Sequence, residues 1–349
     1  MTSHLMTPRE RVLAALNFRP VDKVPLQIHP SPGGLYDHGR KLLDLMRACG
    51  HDFGDAAEFT LPDPPESGDF DPDGRYHAIR TDAWGTTWEY RLFGVWGHPL
   101  SWPLDDLSKL ADYQAPPPPP CEGAEFEAAR AASQVHRRRY FLLGGWGSLF
   151  ETLHSLRRFE DVLMDIQFDT PEINRIEDLI VEHVRGCVRR CLALDVDAVM
   201  FGDDYGTQSG PIMSPEVWRR FFKPRYRELF APILRAGKDV LFHSCGKVGW
   251  LLEDLAELGV KAIWPQLPAF DLPDLAKRCR ELGIAIQLHP DRGELMQRRS
   301  PQEVRDYVLR VIDTFETLSG GSWLYIEIDP GFPYRNVEAL FEAAMDLRR

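Results

Sequence analysis

The chain has 349 residues, of which 44% are hydrophobic and 27% are charged, and its formal net charge at pH 7 is −12. This composition is typical of a soluble globular protein, and the acidic charge argues against a nucleic-acid binder, because phosphate contacts need clustered Lys and Arg. No run of about 18 apolar residues is present, so no membrane span is expected. Residues 1–11 carry charges and no apolar signal-peptide core, and we expect a cytoplasmic protein.

The first predicted elements are a helix, a strand, a second helix and a weak strand. The first helix covers residues 8–17, with Thr7 as its N-cap and proline at its first position. A strand over residues 24–29 and a helix over residues 35–49 follow. Residues 56–61 are predicted to form a weak second strand.

Residues 68–103 differ in character from the rest of the chain. They are rich in Gly, Asp and aromatic residues, and the alternation in residues 76–80 and 86–90 predicts a β-hairpin insertion. The insertion contains four tryptophans, Trp84, Trp88, Trp96 and Trp102. Two interpretations stay open: a small satellite core beneath the insertion, or a hydrophobic rim over a ligand pocket. Residues 114–120, which end in five prolines, predict a stiff extended spacer.

After the spacer, short apolar strands alternate with helices. The predicted strands cover residues 140–146, 198–202, 240–246, 262–264, 284–288 and 323–329. With the first two strands this makes about eight, which predicts a TIM (β/α)8 barrel formed by residues 1–349 as one domain. A doubly wound sheet is the main alternative. Polar residues at the ends of several strands, rather than at one switch point, favour the barrel.

His243 and Cys245 end the apolar run that begins at Val240. Residues two apart on an extended chain point to the same side, and imidazole and thiolate are ligands that suit zinc, so these two predict half of a metal site. Further polar residues lie at or just past the ends of predicted strands and would meet at the mouth of a barrel: His29, Asp203, Asp204, Gln266, His289, Asp291, Glu327 and Asp329. The six cysteines are scattered and do not indicate a disulfide framework.

Four stretches carry a resemblance to a known superfamily. They are residues 7–16, residues 201–204 with 214–216 and 223–224, residues 242–246, and residues 320–321 with Pro333 and Asn336. On these motifs the chain resembles the uroporphyrinogen decarboxylase-like superfamily, which includes the heme-pathway decarboxylase and the corrinoid and coenzyme M methyltransferases. The resemblance implies a TIM barrel with its active site at the mouth.

The methyltransferase branch is the closer one. Residues 27–34 lack the arginines with which the heme-pathway decarboxylase meets substrate carboxylates, whereas His243 and Cys245 match the first two zinc ligands of the coenzyme M enzymes. The third ligand of those enzymes, a cysteine, has no counterpart here. The resemblance therefore leaves Glu327, His289 or Asp329 to complete a metal site. Glu327 is favoured, since alternation places it on the same strand face as Trp323 and Tyr325.

The expected protein is a methyltransferase-like enzyme. Zinc would act as a Lewis acid on a methylated oxygen or on a thiol, and the methyl group would pass to or from a corrinoid on a partner protein. The expected site consists of the metal ligands His243, Cys245 and Glu327, the catalytic residues Asp203, Asp204 and His289, and the substrate-binding residues His29, Trp146, Tyr205 and Gln266.

Two alternatives to methyl transfer stay open. One is a metal-independent decarboxylase or lyase, in which Asp203 or Asp204 protonates a carbanion and Arg292 or Arg225 provides positive charge. The other is a tetrapyrrole-binding protein without catalysis. Expected partners are a small-molecule substrate and a corrinoid protein, with neither nucleic acid nor membrane, and a homodimer is the oligomeric state considered.

Overall fold

The computed structural model describes residues 5–349, so the first four residues of the stretch examined for a signal peptide lie outside the described part. Its strands are β1 (Leu26–His29), β2 (Ala78–Thr81), β3 (Thr87–Tyr90), β4 (His98–Ser101), β5 (Leu143–Gly147), β6 (Ala198–Gly202), β7 (Asp239–Ser244), β8 (Val260–Pro265), β9 (Ala285–Leu288) and β10 (Ser322–Glu327). Its helices are α1 (Pro8–Leu16), α2 (Pro32–Cys49), α3 (Ala124–His136), α4 (Phe150–Leu156), α5 (Phe159–Phe168), α6 (Pro171–Ala193), α7 (Pro215–Arg235), α8 (Leu252–Glu257), α9 (Leu272–Leu282), α10 (Glu294–Arg298), α11 (Pro301–Thr314) and α12 (Tyr334–Asp346). Within these residues no helix combines the length and apolar character needed to cross a membrane.

Seven of the strands found in residues 5–349 form one curled parallel sheet, in the order β1-β10-β9-β8-β7-β6-β5. Helices surround this sheet, so the predicted TIM-barrel fold class is confirmed. The register brings the carboxyl ends of the strands to one edge: His29 lies beside Glu327, and His243 lies between Gly202 and Trp264. Side chains that follow these ends therefore meet at one mouth.

The predicted second strand is wrong. Ala56–Glu58 forms a single 3-10 turn, because the Asp55 side chain accepts a hydrogen bond from a backbone amide of that turn. The Asp52 backbone takes the strand's place in the barrel. Its amide donates to the Leu26 carbonyl at 2.8 Å and its carbonyl accepts from the Phe141 amide at 3.3 Å. One residue thus bridges the two edges of the seven-stranded sheet.

The Asp52 carboxylate is fully buried beneath this bridge. It accepts hydrogen bonds from Arg11 Nη1 at 2.5 Å, from Arg348 Nη1 at 2.7 Å and from the Leu26 amide at 2.8 Å. Arg11 also pairs with Asp22 at 2.6 Å. The cluster joins the first helix, the barrel edge and the C-terminal end of the chain.

Apolar side chains form an inner and an outer layer around the sheet. The inner cluster fills the barrel and is closed from below by Val12 and Leu16 of α1. The larger outer cluster lies between the strands and the helices. On β10, Trp323 faces inward while Leu324 and Ile326 face outward, which confirms the predicted alternation.

The insertion forms a three-stranded antiparallel sheet, β2-β3-β4, rather than a simple hairpin. It is fixed to α4 by two long-range hydrogen bonds. Thr86 Oγ1 donates to the Ser155 carbonyl at 2.7 Å, and Trp102 Nε1 donates to the His154 carbonyl at 3.1 Å. These bonds hold the small sheet beside the barrel mouth.

The proline run packs against α6. The His183 imidazole hydrogen-bonds to the Pro116 carbonyl at 2.8 Å, and Pro118 lies so close to Gly186 that a Cβ there would be 2.2 Å from the proline ring. The spacer is therefore a docked segment of the fold.

Candidate functional site

Two adjacent cavities open at the mouth of the barrel. The larger has a volume of about 550 Å³ and lies between the barrel and the insertion. The smaller has a volume of about 390 Å³ and lies over β8, β9 and the loop after β9. His243 and Trp264 line both cavities and form the wall between them. These volumes are within the range of small-molecule sites.

A group of three metal-capable side chains lies at this wall. Within residues 5–349, Asp204, His243 and Cys245 place one ligand atom each within 4.8 Å of the others. His243 Nε2 is 3.4 Å from Asp204 Oδ1 and 3.4 Å from Cys245 Sγ. Asp204 Oδ1 also accepts the Cys245 backbone amide at 2.8 Å, which fixes the carboxylate relative to the thiol.

The His243 ring is held in the form that binds a metal. Its Nδ1 lies 2.8 Å from the Trp264 carbonyl, which can only accept, so Nδ1 carries the proton and the Nε2 lone pair faces Asp204 and Cys245. Burial lowers the pKa of His243 and keeps the imidazole neutral. Burial and Asp204 raise the pKa of the Cys245 thiol to about 12. The donor set of nitrogen, sulfur and oxygen suits zinc.

Glu327, predicted to be the third metal ligand, lies in a different environment. Its Oε2 is 3.3 Å from Arg292 Nη1 and accepts from the Tyr325 hydroxyl at 3.3 Å. Its Oε1 is 4.0 Å from Nε2 of His29, a half-exposed residue at the rim. Arg292 also pairs with Asp329 at 3.2 Å. The structure places Asp204, predicted as a catalytic carboxylate, where the third ligand was expected.

His289 lines the smaller cavity behind Trp264. Its Nδ1 accepts from Trp264 Nε1 at 3.3 Å, so its proton lies on Nε2, which is buried without a hydrogen-bond partner in the described part of the chain. Burial, with the charge of Arg292, lowers the pKa of His289 well below its usual value. This leaves a neutral imidazole whose Nε2–H is buried and unpaired among the described residues.

Asp203 and Tyr205 lie behind the cavity wall. The Asp203 carboxylate is fully buried and accepts from the Leu149 amide at 2.8 Å, the Glu151 amide at 2.7 Å and the Tyr226 hydroxyl. Burial raises its pKa to about 7. Tyr205 is also fully buried, with its hydroxyl 2.8 Å from that of Tyr226. Both residues fix the start of α4 and do not line either cavity.

Two predicted substrate-binding residues lie in the cavity walls. Trp146 is 52% exposed and lines the larger cavity above Gly202, where a Cβ would be 2.1 Å from the indole ring. A glycine at position 202 is thus required for Trp146 to lie against the strand. Gln266 lines the smaller cavity, and its Oε1 accepts from the Gly246 amide and from Gln208 Nε2, both at 3.0 Å.

Trp84, Trp88 and Trp96 of the insertion line the larger cavity, as the rim interpretation of the sequence required. Asp82 of the insertion and Glu151 of α4 also line it and were not identified from the sequence. The insertion therefore forms a rim, and Trp88 is also buried as a satellite core requires. Glu151 accepts the Asp204 amide at 3.3 Å and pairs with His154 at 3.0 Å. Its position just after the end of β5 was the only signal in the sequence.

Of the two arginines expected to provide positive charge for a decarboxylase, Arg292 lies at the mouth and Arg225 does not. Arg225 pairs with Glu177 and Asp178 of α6, and it lines neither of the two cavities. Among the described residues that line them, Arg292 is the one Lys or Arg, and it is bridged to Glu327 and Asp329.

Comparison with protein families matches residues 97–347 to the family described as uroporphyrinogen decarboxylase (URO-D). Among solved structures, a methyltransferase from Methanosarcina mazei is similar with a TM-score of 0.62 and 15% identity, over 98% of this chain and 99% of that chain. A Gloeophyllum trabeum endo-β-1,4-xylanase has a TM-score of 0.41 and 14% identity, over 65% and 80%. A Xanthomonas albilineans dihydropteroate synthase has a TM-score of 0.33 and 15% identity, over 45% and 58%. Comparison with curated proteins finds no significant match. At such identities the first likeness establishes the fold.

Proposed function

The chain belongs to the uroporphyrinogen decarboxylase (URO-D) family, and from this premise we propose that it is a methyltransferase-like enzyme. The observation that carries the proposal is the group formed by Asp204, His243 and Cys245 at the barrel mouth. The fold shared with the Methanosarcina mazei methyltransferase supports it. The lack of unpaired positive charge in the cavity walls disfavours a decarboxylase that must bind substrate carboxylates.

Asp204, His243 and Cys245 would hold a zinc ion. Three protein ligands leave one position open, as in catalytic zinc sites. A zinc ion in this position supplies a Lewis acid for a methylated oxygen, or lowers the pKa of a bound thiol. The neutral imidazole, held by the Trp264 carbonyl with its Nε2 lone pair towards Asp204 and Cys245, is the part of the site already arranged for this role.

The remaining side chains would bind and orient the reactants. Glu151 fixes the Asp204 backbone, and through it the carboxylate. His289 would support Trp264 from behind, since its Nδ1 accepts from the indole N–H at 3.3 Å. Trp146 and Trp264 cover the His243 ring on the side of the larger cavity, with ring centroids 6.0 Å and 4.2 Å from it, and exclude water there.

The methyl carrier in this proposal is a corrinoid on a partner protein. Trp96 is 75% exposed and Trp146 is 52% exposed, and both lie on the open side of the larger cavity. They offer apolar surface to a large flat ligand that approaches from solvent.

Metal analysis of the purified protein tests the metal part of the proposal. We expect about one zinc ion per chain for three protein ligands, and loss of the ion in His243→Ala. The matched control is His98→Ala, since His98 is an exposed histidine on β4. The same zinc content in all three proteins would contradict the assignment of His243.

Methyl transfer is tested separately. The zinc-loaded protein is incubated with cob(I)alamin and a panel of methyl ethers, methyl thioethers and N-methylated amines. The visible spectrum of the corrinoid should change with at least one compound, and the change should require His243. No change with any compound that binds the protein would refute the methyltransferase proposal.

A further inference from the structure

The larger cavity combines aromatic rings with negative charge. Five tryptophans line it: Trp84, Trp88 and Trp96 from the insertion, and Trp146 and Trp264 from the barrel. Three carboxylates line it as well, those of Asp82, Glu151 and Asp204. None of the described residues in its wall is Lys or Arg. This combination of indole faces and carboxylates favours a cationic ligand.

Four of the tryptophans pack in two pairs, one from the insertion and one from the barrel. In the insertion, the rings of Trp88 and Trp96 have centroids 5.2 Å apart and planes inclined by 67°. In the barrel, the rings of Trp146 and Trp264 have centroids 6.5 Å apart and planes inclined by 81°. The wall is therefore built from indole rings in several orientations, and the face of an indole ring attracts a cation.

The carboxylate of Asp82 is built into the aromatic wall. Its Oδ2 accepts from Trp88 Nε1 at 2.8 Å, and its Oδ1 accepts from the Trp84 amide at 2.9 Å. These bonds hold the negative charge beside two indole rings. The charge of Glu151 is balanced by His154, which does not line the cavity, and Asp204 belongs to the metal group. Asp82 Oδ1 also accepts from the Thr86 amide at 3.0 Å, and among the described residues no Lys, Arg or His forms an ion pair with Asp82, so its negative charge stays available to attract a cation.

The groups in the cavity wall indicate which type of cation it binds. A primary ammonium or a guanidinium carries N–H groups that need several acceptors, whereas indole rings supply π-faces. A methylated ammonium has few or no N–H groups and presents methyl groups to those faces. We propose that the larger cavity binds a methylated ammonium group, so that N-methylated amines are the substrate class of this enzyme.

That the bound amine is also the methyl donor rests on the proposed function. In the transfer, the carbon–nitrogen bond breaks and both its electrons stay on nitrogen, which leaves as a neutral amine. A nucleophile, either a thiolate or a reduced cobalt corrinoid, forms the new bond to the methyl carbon. The amine product is neutral, so it binds the aromatic wall more weakly than the methylated ammonium does, and this favours its release.

Binding of choline and of its neutral isostere, 3,3-dimethyl-1-butanol, tests the inference by calorimetric titration of the full chain. The two molecules have the same shape and differ in charge. Choline should bind about tenfold tighter, because desolvated cation–π contacts act on it alone. 3,4-Dimethoxybenzoate, an anionic methyl ether, should bind more weakly than choline. Equal affinity for choline and its isostere, or tighter binding of the benzoate, would overturn the inference.

Variants locate the binding in this cavity. Trp146→Leu and Trp96→Leu change exposed side chains, so they should fold normally, and each should weaken choline binding by about fivefold. Asp82→Asn should weaken choline but not the isostere. The matched control is Phe168→Leu, an exposed aromatic residue of α5 that lies outside the cavity wall. Circular dichroism checks folding, and unchanged affinity in Trp146→Leu, or an equal loss in Phe168→Leu, would overturn the inference.

The titration contains no methyl acceptor, so the two proposals can fail separately. Choline binding with the expected preference, followed by no methyl transfer, refutes the enzyme activity and supports the cation site. Methyl transfer from ethers, without any preference for choline over its isostere, would support the enzyme activity and refute the cation site.

Discussion

Asn in place of Asp52 would remove the charge on which the closure of the barrel depends. The carboxylate is fully buried and binds two guanidinium groups, those of Arg11 and Arg348, at 2.5 and 2.7 Å. The same residue joins the sheet edges through its backbone contacts to Leu26 and Phe141. Asp52→Asn keeps the size of the side chain and one acceptor oxygen, and it leaves both cations without their carboxylate.

The expected loss of stability is about 3 kcal/mol. Breaking a buried ion pair by removing one partner costs roughly 3–5 kcal/mol, since the other charge stays buried. Arg11 keeps Asp22 at 2.6 Å, which compensates part of the loss. The Arg348 guanidinium keeps only the Val24 carbonyl, at 2.7 Å, as a partner in the described structure, so most of the cost falls on it.

Urea unfolding followed by circular dichroism measures this change. Asp44→Asn is the matched control, because Asp44 forms an exposed pair with Arg40 within one helix and its loss should cost about 0.5 kcal/mol or less. Hydrogen exchange at the Leu26 and Phe141 amides should rise in Asp52→Asn. A free energy of unfolding within about 1 kcal/mol of the wild type would refute the role of this cluster in closing the barrel.

The remaining predictions concern a buried histidine, the third metal ligand and the wall of the larger cavity. Burial lowers the pKa of His51 from 6.5 to about 4, so the residue contributes about 3 kcal/mol of stability at pH 7 that is lost as the pH falls from 6.5 to about 4. His51→Gln should therefore flatten the dependence of unfolding free energy on pH in that window. Asp204→Asn should reduce the zinc content, whereas Glu327→Gln should leave it unchanged. Gly202→Ala should displace the Trp146 ring and weaken choline binding, with little change in the unfolding midpoint, because the ring can move outward.

Each of these predictions has an outcome that would contradict it. An equal pH slope in wild type and His51→Gln would show that this histidine is not held neutral, with His98→Gln as the exposed control. Loss of zinc in Glu327→Gln would show that Glu327 is a zinc ligand. Unchanged choline affinity in Gly202→Ala would show that Trp146 does not contact the ligand.

The barrel and the position of its mouth could be predicted from local patterns. The apolar run that leads to His243 reads as a buried strand, and the period-two alternation through Trp323 gives the inward face of β10 directly. The second strand could not be read in this way. A carboxylate at Asp55 competes for a backbone amide, and a single residue, Asp52, completes the barrel where a strand was expected.

The presence of Asp204, rather than Asp203, in the metal-capable group depends on contacts that no local pattern describes. Asp203 and Asp204 are adjacent, so one faces the cavity and the other faces away. Which of them faces inward is decided by the Leu149 and Glu151 amides, more than 50 residues earlier in the chain, which bind Asp203. Glu327 does face the mouth, but Arg292 from the loop after β9 meets it there.

The sequence left two interpretations of the insertion open, because its position also depends on contacts between distant residues. Alternation predicts its strands but not where the small sheet docks. That position is set by the bonds of Thr86 and Trp102 to α4, across 69 and 52 residues of sequence. Such long-range contacts turn the tryptophans towards the barrel and make them a rim.

The wall shared by the two cavities bears on the order of events in catalysis. His243 and Trp264 are the side chains that separate the larger cavity from the smaller one. These two side chains would keep a ligand in the smaller cavity apart from one in the larger cavity. Direct transfer needs contact between the nucleophile and the methyl carbon, so in the proposed enzyme donor and acceptor both meet in the larger cavity as a ternary complex, and no methylated form of the protein is needed. Steady-state rates measured at varied concentrations of both reactants should then give intersecting, not parallel, double-reciprocal lines.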